Sequence, residues 1–215
     1  MELQLSEALI RRLPAYYRNL KELEQAGVEH ISSEALGQRM HQTASLVRWD
    51  MKYLGVLGRQ GHGYGVRELR TCIGEVLGLN RPHDMIVIGA GSIGNAVTRY
   101  PGFSEDGFRV TAMFDTDPAR IGGRVNGIPV LDWKDVGEYL KAHPVRIAVL
   151  AVPAAAARET AGVLEHFGIR AIWNFAPVDL QYDPRVMDVV NVHLSDTLQV
   201  LSYKIAHHAG EWEEA

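Results

Sequence analysis

The chain has 215 residues, 47% hydrophobic and 22% charged, with 22 Lys+Arg against 26 Asp+Glu and a formal net charge of −4. That is the make-up of one or two globular domains; it excludes a disordered chain and a globally basic nucleic-acid coat, though not a local basic face. No apolar run reaches the roughly 18 residues that span a bilayer, Met1-Glu2-Leu3-Gln4 lacks the basic-then-apolar opening of a leader, and a lone cysteine, Cys72, makes neither an internal disulfide nor a metal cluster, so a soluble, cytoplasmic, metal-free protein is expected.

Residues 5–78 read as helices with short connections. Leu9, Leu13, Tyr16, Tyr17, Leu20 and Leu23 recur at steps of three and four, which makes one apolar helical face, and Gly27 ends that helix. Ser33 is the expected cap of a second helix with Leu36 and Met40 facing inward; Thr43 caps a third with Leu46, Met51 and Leu54 on its stripe. The glycine-rich stretch Gly55–Val66 breaks any helix and suits a tight hairpin, and a fourth helix follows from about Val66 to Leu77. Residues 1–78 carry a net charge of +1 and the remainder −5.

From Met85 the period changes. Met85–Ile88, Val110–Phe114, Ile147–Val152 and Ala171–Phe175 are short apolar runs separated by helical material, as buried parallel strands are when helices cover both sheet faces. A doubly wound α/β domain is predicted, closed by an amphipathic helix around Leu198–Ala206.

Gly89-Ala90-Gly91-Ser92-Ile93-Gly94 follows the first of these strands and opens a helix. In a dinucleotide site the first glycine permits the tight turn, the second lets the backbone approach a pyrophosphate, and the third lets helix and strand pack closely. Asp115, 21 residues after Gly94 and at the end of the next strand, is placed to accept from the adenine-ribose hydroxyls, which favours NAD over NADP. CoA or a mononucleotide remains a competitor for such a loop. Tyr100, Asn174, His193, His207 and His208 are the side chains that could serve catalysis, but no ligand or base motif organises them. Too little chain follows the α/β domain for a substrate domain, so the dinucleotide is expected to be read rather than consumed and the protein not to be an enzyme.

Ser33–Leu54 reads as helix, turn, helix, an arrangement that presents the start of a second helix to the major groove. Ser45, Arg48, Trp49, Lys52 and Tyr53 then form the exposed face, and the hairpin with Arg59 and Gln60 becomes a wing. A plain helical bundle fits the same pattern.

Leu13-Pro14-Ala15-Tyr16-Tyr17-Arg18, Val47-Arg48-Trp49-Asp50-Met51-Lys52-Tyr53-Leu54-Gly55, Gly61-His62-Gly63-Tyr64, Tyr100-Pro101-Gly102-Phe103, Phe114-Asp115-Thr116-Asp117-Pro118, Val152-Pro153 and Asn174-Phe175-Ala176-Pro177 stand in an order that resembles the Rex family of redox-sensing repressors over nearly the whole chain. The resemblance implies a winged helix-turn-helix domain (1–80), a Rossmann domain (81–192) and a C-terminal dimerisation helix (193–215) swapped onto a partner. It implies a homodimer that binds a palindromic operator and leaves it when NADH binds, with NAD⁺ competing. Gly89 to Gly94, Tyr100, Asp115, Val152, Pro153, Asn174 and Phe175 would then hold the cofactor, and Arg18, Tyr100 and His193 would form the switch. Four positions depart from the family pattern: Trp49 and Gln60 stand where it has cations, His193 where it has Asp, and Leu194 where it has an aromatic. They imply a paralogue with an altered response to NADH or DNA. A dinucleotide- or CoA-binding protein without operator binding, and more distantly a small NAD-dependent enzyme, are the alternatives.

Overall fold

The computed structural model describes residues 5–59 and 61–212, which form two compact units divided between Arg81 and Pro82. Met1–Gln4 and Gln60 lie outside the described residues, as does the side chain of His208.

The first unit contains α1 (Glu7–Gln25), β1 (His30–Ile31), α2 (Ser33–Arg39), α3 (Ala44–Tyr53), β2 (Tyr64–Gly65) and α4 (Val66–Val76). Leu9, Leu13, Tyr16, Leu20 and Leu23 are buried along α1, as their spacing requires, and meet Leu36, Val47, Met51, Leu69 and Ile73 in one core. The cap of α2 is Ser32, whose hydroxyl accepts from Ala35 N–H at 3.0 Å; Ser33 is the first helical residue instead. Adjacent serines cannot be told apart by residue preference alone. Thr43 caps α3 as predicted, but the buried stripe runs Val47, Asp50, Met51 and Leu54, with Leu46 half-buried.

Asp50 is an unexpected member of that stripe. Its carboxylate accepts from Arg12 Nε at 2.8 Å, Arg12 Nη2 at 2.6 Å and the Tyr16 hydroxyl at 2.9 Å, which pins α3 to α1. Burial and that carboxylate together push the Tyr16 phenol up. In the glycine-rich segment Arg59 and Gly63 pair across a turn, and β2 beyond it pairs antiparallel with β1. The hairpin is thus stitched to the body of the unit by β1, a strand too short for any sequence period to reveal. Cys72 is half-buried beside this core, and burial pushes its thiol up.

The second unit runs β3 (His83–Ile88), α5 (Ser92–Arg99), α6 (Gly102–Glu105), β4 (Phe108–Asp115), β5 (Arg124–Val125), β6 (Ile128–Asp132), a 3₁₀ turn at Trp133–Asp135, α7 (Val136–Ala142), β7 (Ile147–Leu150), α8 (Ala154–His166), β8 (Ala171–Asn174), β9 (Asp188–Asn191) and α9 (Leu194–Trp212). The sheet order is β5-β6-β4-β3-β7-β8-β9, parallel throughout except for the antiparallel pair β5–β6. Along β3, Met85 and Val87 pack into one core while Ile86 and Ile88 pack into the other. Both faces of the strand are therefore covered, which is why it reads as continuous rather than alternating hydrophobicity. The predicted strands are all present; β5, β6 and β9 are additional.

The closing helix α9 begins at Leu194, four residues before the predicted start. Leu194, Leu198, Leu201 and Ile205 recur at helical spacing along it and are exposed, as is Val190 on the edge strand β9. Among the described residues no helix is long and apolar enough to cross a membrane.

Candidate dinucleotide and DNA sites

The glycine loop joins β3 to α5. Gly89 has φ +96°, and a Cβ on it would lie 2.3 Å from the Ala151 carbonyl oxygen. A Cβ on Gly94 would lie 1.9 Å from the Gly89 carbonyl oxygen, so no side chain fits between loop and helix. Over Gly91 the space is open as far as Arg120 Nη1, 3.9 Å from the position of a Cβ. Gly91 is the N-cap of α5 and offers no side-chain cap, so the first-turn N–H groups of Ser92, Ile93 and Gly94 have no acceptor within the helix. A bare helix start beside an open glycine fits a pyrophosphate.

Asp115 ends β4 and is 8% exposed. Its Oδ2 accepts from Ala90 N–H at 2.7 Å and Arg120 Nη1 at 3.0 Å, and its Oδ1 accepts from Asp117 N–H at 2.9 Å. Burial alone would raise this carboxyl, but the Asp117 and Ala90 N–H groups and the Arg120 guanidinium outweigh it and hold the group below the usual carboxylate range. The bond to Ala90 also ties the end of β4 to the glycine loop. A cavity of about 570 Å³ opens here, lined among others by Gly89, Gly91, Asp115, Arg120, Trp133, Val152 and Pro153. It sits where β3 has β4 on one side and β7 on the other, the point at which strand order reverses and such folds bind their ligands.

The remaining expected residues lie elsewhere in this unit. Asn174 is fully buried and its amide is committed: Nδ2 donates to Val178 O and Asn191 Oδ1, both at 2.8 Å, and Oδ1 accepts from Ala176 N–H at 3.0 Å. Tyr100 is exposed and starts a run of edge-to-face rings through Phe103 and Trp173 to Phe175. His193 Nε2 lies 2.9 Å from Asp179 Oδ1, joining the loop after β8 to the start of α9. His207 stacks on Tyr203 of its own helix. Among the described residues no cluster of three metal-ligating side chains occurs.

In the first unit Arg18 is exposed on α1. On α3, Ser45, Arg48, Trp49, Lys52 and Tyr53 share the exposed side. Arg48 donates to Ser33 Oγ at 3.1 Å and Ser45 Oγ at 3.2 Å, so its guanidinium is steered by hydroxyls rather than neutralised. Arg59 is exposed on the hairpin.

Two family descriptions match the chain: "CoA binding domain" over residues 80–178 and "Putative DNA-binding protein N-terminus" over residues 4–51. Redox-sensing transcriptional repressors Rex from Clostridium botulinum are 42% identical over 201 residues (strain Eklund 17B, covering 94% of this chain and 95% of the relative) and 45% identical over 198 residues (strain Hall, covering 92% and 94%). This chain belongs to the Rex family of redox-sensing transcriptional repressors. Solved structures agree: RSP, a Rex-family repressor, aligns at 37% identity with TM-score 0.88, covering 98% of this chain and 99% of its own. RSP in complex with NAD⁺ and operator DNA aligns at 38% identity with TM-score 0.87, covering 98% and 95%. With NADH bound the values are 36% and 0.87, covering 99% of both chains.

The Rex-type cavity holds several residues that motif reading passed over. Arg120 and Trp133 are the clearest, one bridging Asp115 and Asp117 and the other forming part of the wall. Arg120 lies five residues beyond Asp115, a distance a search for the ribose carboxylate could have been extended to cover. Trp133 follows β6, which carries Pro129, and no spacing rule marks it.

Proposed function

We propose that this Rex-family protein is a dimeric repressor that holds palindromic operator DNA when free of NADH and leaves it when NADH binds. The observation that carries the reading is one unit with the glycine loop, the bare start of α5 and Asp115 around a single cavity, next in sequence to a unit whose α3 displays unneutralised cations. Gly89 through Gly94, with Ala90, Ser92 and Ile93 offering backbone groups, would take the pyrophosphate, and Asp115 the ribose. Val152 and Pro153 continue the cavity wall. Asn174 acts by shaping the β8 turn, and Phe175 and Tyr100 stand at the two ends of the ring series that runs through Phe103 and Trp173. NADH would supply the redox signal; the protein's residues bind and orient it, and no turnover is assigned. Ser45, Arg48, Trp49, Lys52 and Tyr53 face DNA, with Arg59 on the wing.

Dimerisation is supported by the exposed apolar stripe of α9 continuing from the edge of β9. A stripe of that length left bare on a 19-residue helix is an association surface. Arg18, Tyr100 and His193 are the switch residues. An imidazole engaged by Asp179 cannot copy a carboxylate–guanidinium fork, so the switch here works with one hydrogen bond where two would otherwise form. By linkage, NADH must favour one arrangement of the dimer and DNA the other by the same coupling free energy.

The test is fluorescence anisotropy of a labelled palindromic duplex with the 215-residue chain, expected to work in the cytoplasm, in three states: unliganded, with NAD⁺ and with NADH. Release by NADH, with light scattering giving two protomers per particle, is the expected result. Binding that ignores NADH refutes the sensor; no binding in any state refutes the repressor and favours a dinucleotide- or CoA-binding protein.

A further inference from the structure

Trp49 stands on α3 with its indole 57% exposed, and Tyr53, one turn further, is 47% exposed. Their rings meet edge-to-face at 5.2 Å, which holds the indole outward. The helix's opposite side is the buried stripe of Val47, Asp50 and Met51. Flanking the pair are Arg48 and Lys52, neither paired with a carboxylate among the described residues. A surface of two free cations and two aromatics, with its one carboxylate turned inward, complements a polyanion that also presents apolar groups. Phosphates satisfy Arg48 and Lys52. They do nothing for an indole, whose single N–H donor is small beside its apolar area. The apolar group exposed in the major groove is the C5 methyl of thymine.

We propose that Trp49 reads thymine methyls in the operator by apolar contact, a base-specific task distinct from the phosphate binding of Arg48 and Lys52. The inference rests on the operator-binding reading above. Removing one methyl from a buried contact costs about fourfold in affinity. A cation bound to phosphate instead shows itself in the salt dependence, which loses about one unit of slope per contact.

The experiment starts from a duplex that the 215-residue chain, without NADH, selects from a randomised pool. Each thymine of that duplex is replaced in turn by uracil, which removes the methyl and leaves every hydrogen-bonding group. Uracil at one or more positions is expected to weaken binding about fourfold per methyl. In Trp49→Ala that penalty disappears while the salt slope is unchanged; in Lys52→Ala the slope falls and the penalty stays. An N-terminal melting transition unchanged from wild type in Trp49→Ala checks that the unit carrying the substitution is folded. A wild-type protein indifferent to uracil everywhere overturns the proposal without touching the operator reading, and would mark the Trp49–Tyr53 ridge as a protein contact. A penalty that survives in Trp49→Ala assigns the readout to another side chain. A pool that yields no duplex removes the operator reading and this inference together.

Discussion

Replacing Asp50 by Asn keeps the side chain's volume and removes its charge. The carboxylate is 1% exposed and receives three donors, two from the Arg12 fork and one from Tyr16. An amide has one acceptor oxygen and turns an NH₂ toward groups that are themselves donors, so at least one donor is orphaned and the Arg12 charge loses its partner. Breaking a fully buried ion pair costs about 3–5 kcal/mol. The Arg12 side chain is 25% exposed, so water takes back part of that loss, and about 2–3 kcal/mol is expected here. For a unit of this size each kcal/mol lowers the midpoint by about 4–8 °C. Differential scanning calorimetry should therefore show the N-terminal transition falling by roughly 10–20 °C, with the transition that NADH stabilises left in place. Because the lost contacts orient α3 on α1, operator affinity should fall well below the unfolding range. Replacing the whole network together, Arg12→Met, Tyr16→Phe and Asp50→Leu, should recover most of the stability, since no buried polar group is then left without a partner. A drop of less than about 3 °C in Asp50→Asn would refute the view that this network holds α3 in place.

Gly94→Ala drives a Cβ to 1.9 Å from the Gly89 carbonyl oxygen, and α5 must move off the loop to accept it; at least a tenfold loss of NADH affinity is expected by calorimetric titration, with operator binding retained but no longer released by NADH. Asp115 has its carboxyl held below the usual range, so its charge and hydrogen bonds persist as pH falls and are lost only on passing through that lowered value. NADH affinity should accordingly hold as pH falls into the ordinary carboxylate range and decline only on passing below it; a decline centred near neutral pH would point to a histidine instead.

The glycine loop and the central strands were legible because each is dictated by backbone or burial alone. Gly94 leaves no room for a Cβ, and β3 is covered on both faces. The outer strands β5 and β6 on one flank and β9 on the other were not legible. β6 carries a proline, and β9 mixes Asp188 and Asn191 with two valines, so neither stands out as an apolar run. In the site, Asp115 was found through its distance from the loop, whereas Arg120 and Trp133 arrive there through the path of the chain after β4, which no period encodes. Asp50 was hidden for a different reason: a carboxylate on a buried stripe makes sense only once Arg12 and Tyr16, 38 and 34 residues away, are seen beside it.

The position of the cavity across β3 divides the work of a redox sensor. On the β4 side, in the proposed binding mode, Asp115 and the glycine loop would face the part of a dinucleotide that is identical in its oxidised and reduced forms. Residues so placed would set how much total cofactor is needed to fill the protein, and could not by themselves tell the two forms apart. A ligand held equally in two arrangements shifts neither, however tightly it is held. On that reading discrimination would come from across the reversal, where β7, β8 and β9 lead to Asn174, His193 and the exposed start of α9. One flank of the sheet would then gauge supply and the other ratio. Selection can retune either without disturbing the other, and the His193–Asp179 pair lies on the ratio side.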